Sequence, residues 1–127
     1  MNIAIDALNL YSGGSKTHIN NFLNEFNKVN NEDFIYIFLF RDLEILKLKN
    51  NRIKYIYLKN IYSNSFMKFF WQFFLSNIIF VKFNIDRLFV PGGIYLGSYK
   101  PYYPMCRNML LFENSQIDLY DKIFNKI

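Results

Sequence analysis

The stretch NIAIDALNLYSGGSKTHINNFL, residues 2–23, decides the reading of the fold. NIAIDAL (2–8) is an apolar, strand-like run, suited to a strand covered on both faces. It breaks at Tyr11-Ser12-Gly13-Gly14-Ser15. From about Lys16 to Val29 a helix is predicted, because Ile19, Phe22, Leu23 and Phe26 recur at i, i+3, i+4 and i+7. Two of the chain's five glycines therefore sit between a first strand and a first helix. A turn of this kind lets backbone approach a ligand closely, and free helix N–H groups favour an anion.

The same alternation continues along the chain. Asn30-Asn31-Glu32-Asp33 is a polar break, and FIYIFLF (34–40) is a second strand. A short helix is expected over 42–49 with Leu43, Ile45 and Leu46 inward, then a third strand, IKYIYL, at 53–58. An aromatic helix spans 65–83, and DRLFVPGG (86–93) is a fourth strand ended by Pro91-Gly92-Gly93. A loop rich in Tyr, Gly and Pro runs to Pro104. MCRNMLLF (105–112) reads as a fifth strand, and a helix begins near 115 with Ile117, Tyr120 and Phe124 as its stripe. Strands alternating with helices predict an α/β fold, a Rossmann-like, doubly wound parallel sheet with helices on both faces. Ligands in such sheets bind outside the carboxyl ends of the strands. The glycine turns at 13–14 and 92–93 both lie at such ends and are expected to face one crevice.

The 127 residues fit one domain. The net charge is +5 and unevenly placed: no acid occurs from Ile45 to Ile85, while Lys47, Lys49, Arg52, Lys54, Lys59, Lys68 and Lys82 do. Two readings of this region stay open, a solvated basic face and a surface that meets anionic lipid or a phosphorylated substrate. Zinc-finger spacing, RNP-like motifs and a helix-turn-helix signature are lacking, so no nucleic acid partner is expected. The lone Cys106 allows no disulfide within the chain and reads as a buried thiol, in keeping with a cytoplasmic setting. MNIAIDAL has no basic segment or cleavage site of a signal peptide.

SFMKFFWQFFLSNIIFVKF (65–83) tests for a membrane helix. Its uncharged part, Phe69 to Val81, is shorter than the ~20 residues a spanning helix needs. Lys68, Gln72 and Ser76 fall at i, i+4 and i+8 and form one narrow polar stripe. The expectation is a largely buried helix. The rival is an interfacial helix with snorkelling Lys68 and Lys82.

GGSKT is not a nucleotide-binding P-loop, because Leu10 stands where the leading glycine belongs and Ser15 precedes Lys16. G-x-G-x-x-G is also missing. Thr17 is placed to cap the first helix. His18, without a partner acid or second ligand, reads as structural rather than catalytic. No Asp-x-Asp or His/Cys cluster implies a metal.

Three stretches together carry a resemblance: IDALNLYSGGSKTHINNFL, FFWQFFLSNIIFVKFNIDRLFVPGGIYLG and KPYYPMCRNMLLFEN. In order they resemble the first strand, glycine loop and first helix, then the helix-strand-glycine segment, then the following loop and strand, of the N-terminal half of a GT-B glycosyltransferase. The type is the retaining "group 1", family 4-like enzymes of bacterial polysaccharide and lipopolysaccharide synthesis. Members often have Trp-Glu-Gln where this chain has Trp71-Gln72-Phe73, and Pro near Ser76. The resemblance implies a two-domain enzyme that moves a sugar from a nucleotide-sugar donor to a saccharide or lipid-linked acceptor, at the inner face of the membrane. Gly13, Gly14 and Ser15 would face the donor's phosphates. Thr17, His18, Gly92, Gly93 and Asn108 are the residues expected on the acceptor side of the cleft. Asn108 stands in the place of the family's histidine; it can hydrogen-bond a sugar but cannot serve as acid or base. No cofactor is implied beyond the nucleotide sugar as donor substrate.

These 127 residues contain no Glu-x7-Glu segment and no donor-binding domain. The expectation is an incomplete half of the GT-B architecture, inactive alone, with a separate chain as one source of the missing part. The alternative is a non-catalytic, membrane-peripheral binding module using the basic, aromatic 45–85 region on an anionic membrane surface.

Overall fold

The computed structural model describes residues 1–10, 14–41, 45, 47–58, 64–93 and 95–105, with the side chain of Ser15 excepted. Among the described residues, five strands form one sheet: β1 (Asn2–Asp6), β2 (Phe34–Leu39), β3 (Ile53–Tyr57), β4 (Arg87–Val90) and β5 (Tyr102–Pro104). Their order is β3-β2-β1-β4-β5, and every pairing is parallel. This is an α/β, Rossmann-like arrangement. The order reverses between β1 and β4.

Alternation along the strands explains why both faces are covered. Ile35, Ile37 and Leu39 of β2 join Ile5, Ala7, Ile19, Leu23 and Phe26 in one cluster. Tyr36, Phe38 and Phe40 join Ala4, Leu8, Leu88 and Val90 in the other. Helix α1 (Gly14–Lys28) closes the first face. Its predicted stripe is the buried side: Ile19 and Leu23 are inaccessible and Phe22 is half-buried.

The second face is closed by a continuous helix in three parts. These are α2 (Ser65–Phe70), a π-helical turn (Trp71–Leu75) and α3 (Ser76–Lys82). Asn64 caps it, its side-chain oxygen accepting from the Met67 amide at 2.7 Å. The Ser76 amide donates to the Trp71 carbonyl, five residues back. In an α-helix those two residues would be roughly 140° apart around the axis. The wider turn stacks them, so Trp71, Ser76 and Phe80 all face inward. Phe38 packs at their centre, with ring centroids 6.0 Å from Trp71 and 5.2 Å from Phe80.

The expected burial of this helix is overturned. Gln72 and Ser76 of the polar stripe are buried, while the aromatic positions between them are exposed. The reason is that Ser76 has partners inside: its hydroxyl donates to the Gln72 carbonyl at 2.8 Å and lies 2.9 Å from the Tyr95 hydroxyl. A satisfied buried hydroxyl costs little.

Smaller differences concern boundaries. Pairing between β4 and β5 starts at Tyr102, inside the stretch expected to be loop. Of the expected strand over 105–112, only Met105 is among the described residues; its amide donates to the Val90 carbonyl at 3.0 Å. Residues 47–49 are not helical, although Ile45 is buried as expected. Cys106, Asn108 and the helix expected near 115 lie outside the described residues.

Candidate functional site

The chain leaves β1 at Asp6 and turns at once. The Asp6 carboxylate accepts from the Leu8 amide at 2.8 Å, and the Leu10 amide donates to the Ala7 carbonyl at 3.2 Å. A guanidinium N–H of Arg41, just past β2, donates to the Leu10 carbonyl at 2.5 Å. Only three residues separate Leu10 from Gly14, which opens α1. At full stretch that spans at most about 14 Å, so the amino end of α1 stays close to the carboxyl end of β1.

The exit from β4 is a turn closed by the Gly93 amide, which donates to the Val90 carbonyl at 3.1 Å. Gly93 has φ +80°, a conformation that side chains rarely tolerate. Gly92 is demanded by a neighbour: a Cβ there would stand 2.5 Å from the Asn9 Cβ. The loops after β1 and β4 therefore touch, at the point where the strand order reverses. This is where ligands enter open parallel sheets.

Gly14 differs from Gly92. Nothing lies within 4 Å of a Cβ built on it, and it is exposed. Its glycine is not required by packing. Thr17 and His18 are exposed residues of α1. Because α1 starts at Gly14, Thr17 is its fourth residue and does not occupy the capping position. Gly13, the Ser15 side chain and Asn108 lie outside the described residues. The structure thus brings together Asn9, Leu10, Gly92 and Gly93, with Gly14 at the same end of the sheet.

Beneath this junction lies a group that sequence reasoning passed over. Asp6 is 1% exposed, and the Trp71 indole N–H donates to its carboxylate at 3.2 Å. Burial raises its pKa from 3.8 to about 6, against the lowering effect of the Leu8 and Trp71 hydrogen bonds. Burial also raises the Tyr95 hydroxyl, with the Asp6 charge adding to it. A lone acid in an otherwise apolar strand was the available signal. Arg41 and Asn9 carried none, because their roles depend on contacts distant in sequence.

A groove of ≈ 220 Å³ lies elsewhere, lined by Met1, Ile3, Phe22, Arg87 and Tyr103 among others. Met1 precedes β1, and Ile3 and Arg87 lie toward the amino ends of β1 and β4, so it is at the end of the sheet opposite Gly92 and Gly93. Among the described residues, no three His, Cys, Asp or Glu side chains gather as a metal would need. Nor is any described helix long and apolar enough to cross a membrane.

No protein-family model matches this chain, and no curated protein or solved structure does either.

Proposed function

We propose that this domain is the acceptor-side half of a GT-B glycosyltransferase of the retaining group 1 type. The observation that supports the reading is the contact between the exits of β1 and β4, Asn9 against Gly92, at the reversal of strand order. In the reaction, an acceptor hydroxyl forms a bond to the anomeric carbon of a nucleotide sugar. The bond to the diphosphate breaks, the nucleotide diphosphate leaves, and the hydroxyl proton passes to solvent or to the leaving phosphate. A second domain, not among these residues, holds the nucleotide. The backbone N–H groups of Gly14 and Ser15, which open α1, would stabilise the growing charge of the diphosphate. The loop at Gly92 and Gly93 borders the acceptor, a saccharide or lipid-linked sugar.

Gly14 offers the test. A bulky side chain there meets open space, so it leaves the fold undisturbed while blocking the place proposed for the diphosphate. Cells that make this protein should lose one glycosyl residue from a surface saccharide when its gene is disrupted. Wild type should restore that residue and Gly14→Trp should not, at equal protein levels. Unchanged saccharides in the disrupted strain would rule the proposal out.

A further inference from the structure

Asp6 fastens two elements together at the carboxyl end of the sheet. Its Oδ1 accepts from the Leu8 amide at 2.8 Å, and its Oδ2 accepts from the Trp71 indole N–H at 3.2 Å. The first bond shapes the turn after β1. The second ties that turn to the helix on the second face. The indole itself is caged: the rings of Phe40, Phe38 and Phe80 stand around it, with centroids 5.0, 6.0 and 6.0 Å away. A change in the Asp6–Trp71 bond is therefore passed to the turn rather than absorbed by the indole. Trp71 also opens the π-helical turn, a local irregularity that often accompanies function.

The turn after β1 reaches the loop after β4. Asn9 abuts Gly92, where a Cβ would stand 2.5 Å from the Asn9 Cβ, and the Gly93 amide closes that loop on the Val90 carbonyl. Further along the same loop, a Cβ on Gly97 would run into the Tyr95 hydroxyl and the Gln72 carbonyl, so the loop rests on the π-helical turn as well. Asp6 stands where all three segments meet.

Ionised, the carboxylate accepts at both oxygens; protonated, one oxygen becomes a donor. The proton belongs on Oδ2, whose bond is the longer, and the indole N–H then loses its acceptor. The bond to Leu8 falls from charge-assisted to neutral strength. Among the described residues, the titratable or charged side chains at this end of the packed elements are Arg41 just past β2, Lys68 in the helical turn before Trp71, Tyr95 in the loop after β4, and Lys16 in the first turn of α1 on the other face. The Asp6 charge acts on Tyr95, and Arg41 donates to the Leu10 carbonyl of the same turn. Loss of a buried charge steadies the fold as a whole while it loosens this one turn.

We propose that Asp6 is a proton-operated latch at the carboxyl end of the sheet: ionised, it ties the turn after β1 to Trp71, and protonated, it releases that turn together with the loop at Gly92 and Gly93. The latch needs neither nucleotide nor saccharide, so it is independent of the glycosyltransferase reading.

The test is heteronuclear NMR of the full, nitrogen-labelled chain from about pH 4.5 to about pH 8. Trp71 is the only tryptophan, so its indole N–H gives a single signal. That signal and the Leu8, Gly92 and Gly93 amides should shift together, with one midpoint at about 6. Exchange of the Leu10 and Gly93 amides, corrected for its intrinsic dependence on pH, should be about fivefold faster on the acid side. Asp6→Asn should abolish the transition. Trp71→Phe should leave Leu8 titrating while Gly92 and Gly93 no longer follow. If either variant fails to fold, the wild-type titration decides alone. The absence of any transition at the indole over this range overturns the proposal. So does a transition at Trp71 and Leu8 that leaves Gly92 and Gly93 unmoved.

Discussion

Asp6, Gly14 and Gly92 show how differently single residues can matter at one end of the sheet. The Asp6 carboxyl titrates near pH 6 in the folded chain against 3.8 in its ordinary state. Between those values the folded state holds a proton that the unfolded state has released. Stability from this group is therefore full below pH 3.8 and falls as pH rises through 6. The native chain should be about 1 kcal/mol more stable at pH 5 than at pH 7 on this account. Urea midpoints at the two pH values, for wild type and Asp6→Asn, check it; an equal slope in the variant would remove Asp6 as the cause. The glycines separate fold from function. Gly92→Ala drives a methyl into Asn9 and should cost about 1–3 kcal/mol. Gly14→Ala meets open space in the first turn of α1 and should be neutral or stabilising by about 0.5 kcal/mol. Thermal melts of the pair decide this, and a Gly14→Ala chain as unstable as Gly92→Ala would contradict it.

At the scale of elements, the helix from Ser65 to Lys82 decides most. Its inward hydroxyl bond, Ser76 to Tyr95, ties the helix to the loop between β4 and β5. Tyr95→Phe leaves the Ser76 hydroxyl its bond to the Gln72 carbonyl, so the loss should be about 1 kcal/mol. A double-mutant cycle with Ser76→Ala measures the coupling; additive losses would show that the two hydroxyls do not interact. On the outer side the expectation reverses. Phe66→Ser and Phe74→Ser remove exposed rings and should change the unfolding free energy by less than about 0.5 kcal/mol. A large loss would mean these rings are packed against something in the isolated chain.

For the whole molecule, the sheet's order predicts a gradient of local stability. β1 is paired on both sides and covered on both faces, whereas β5 is the edge among the described strands, three residues long with exposed side chains. Amide hydrogen exchange should be slowest in β1 and β2 and fastest in β5. Comparable protection in β5 would show that further structure covers that edge.

Much of this architecture was legible in the residues. The strands at β1, β2, β3 and β4 and the inward stripe of α1 follow from short-range periodicity, which burial enforces directly. So does the parallel α/β class, because apolar strands that alternate with helices need cover on both faces. The glycine turn at 92–93 was legible as a turn. Three things were decided only by the tertiary structure. One is that Gly92 is required by Asn9, a contact between residues far apart in sequence. Another is the burial of Asp6, which depends on where Trp71 is placed. The last is the orientation of the aromatic helix. Lys68, Gln72 and Ser76 form a stripe by spacing alone, and spacing cannot say whether a stripe faces water or core. The partners waiting inside decided it: Tyr95 for the Ser76 hydroxyl, and Phe38 for the rings of Trp71 and Phe80.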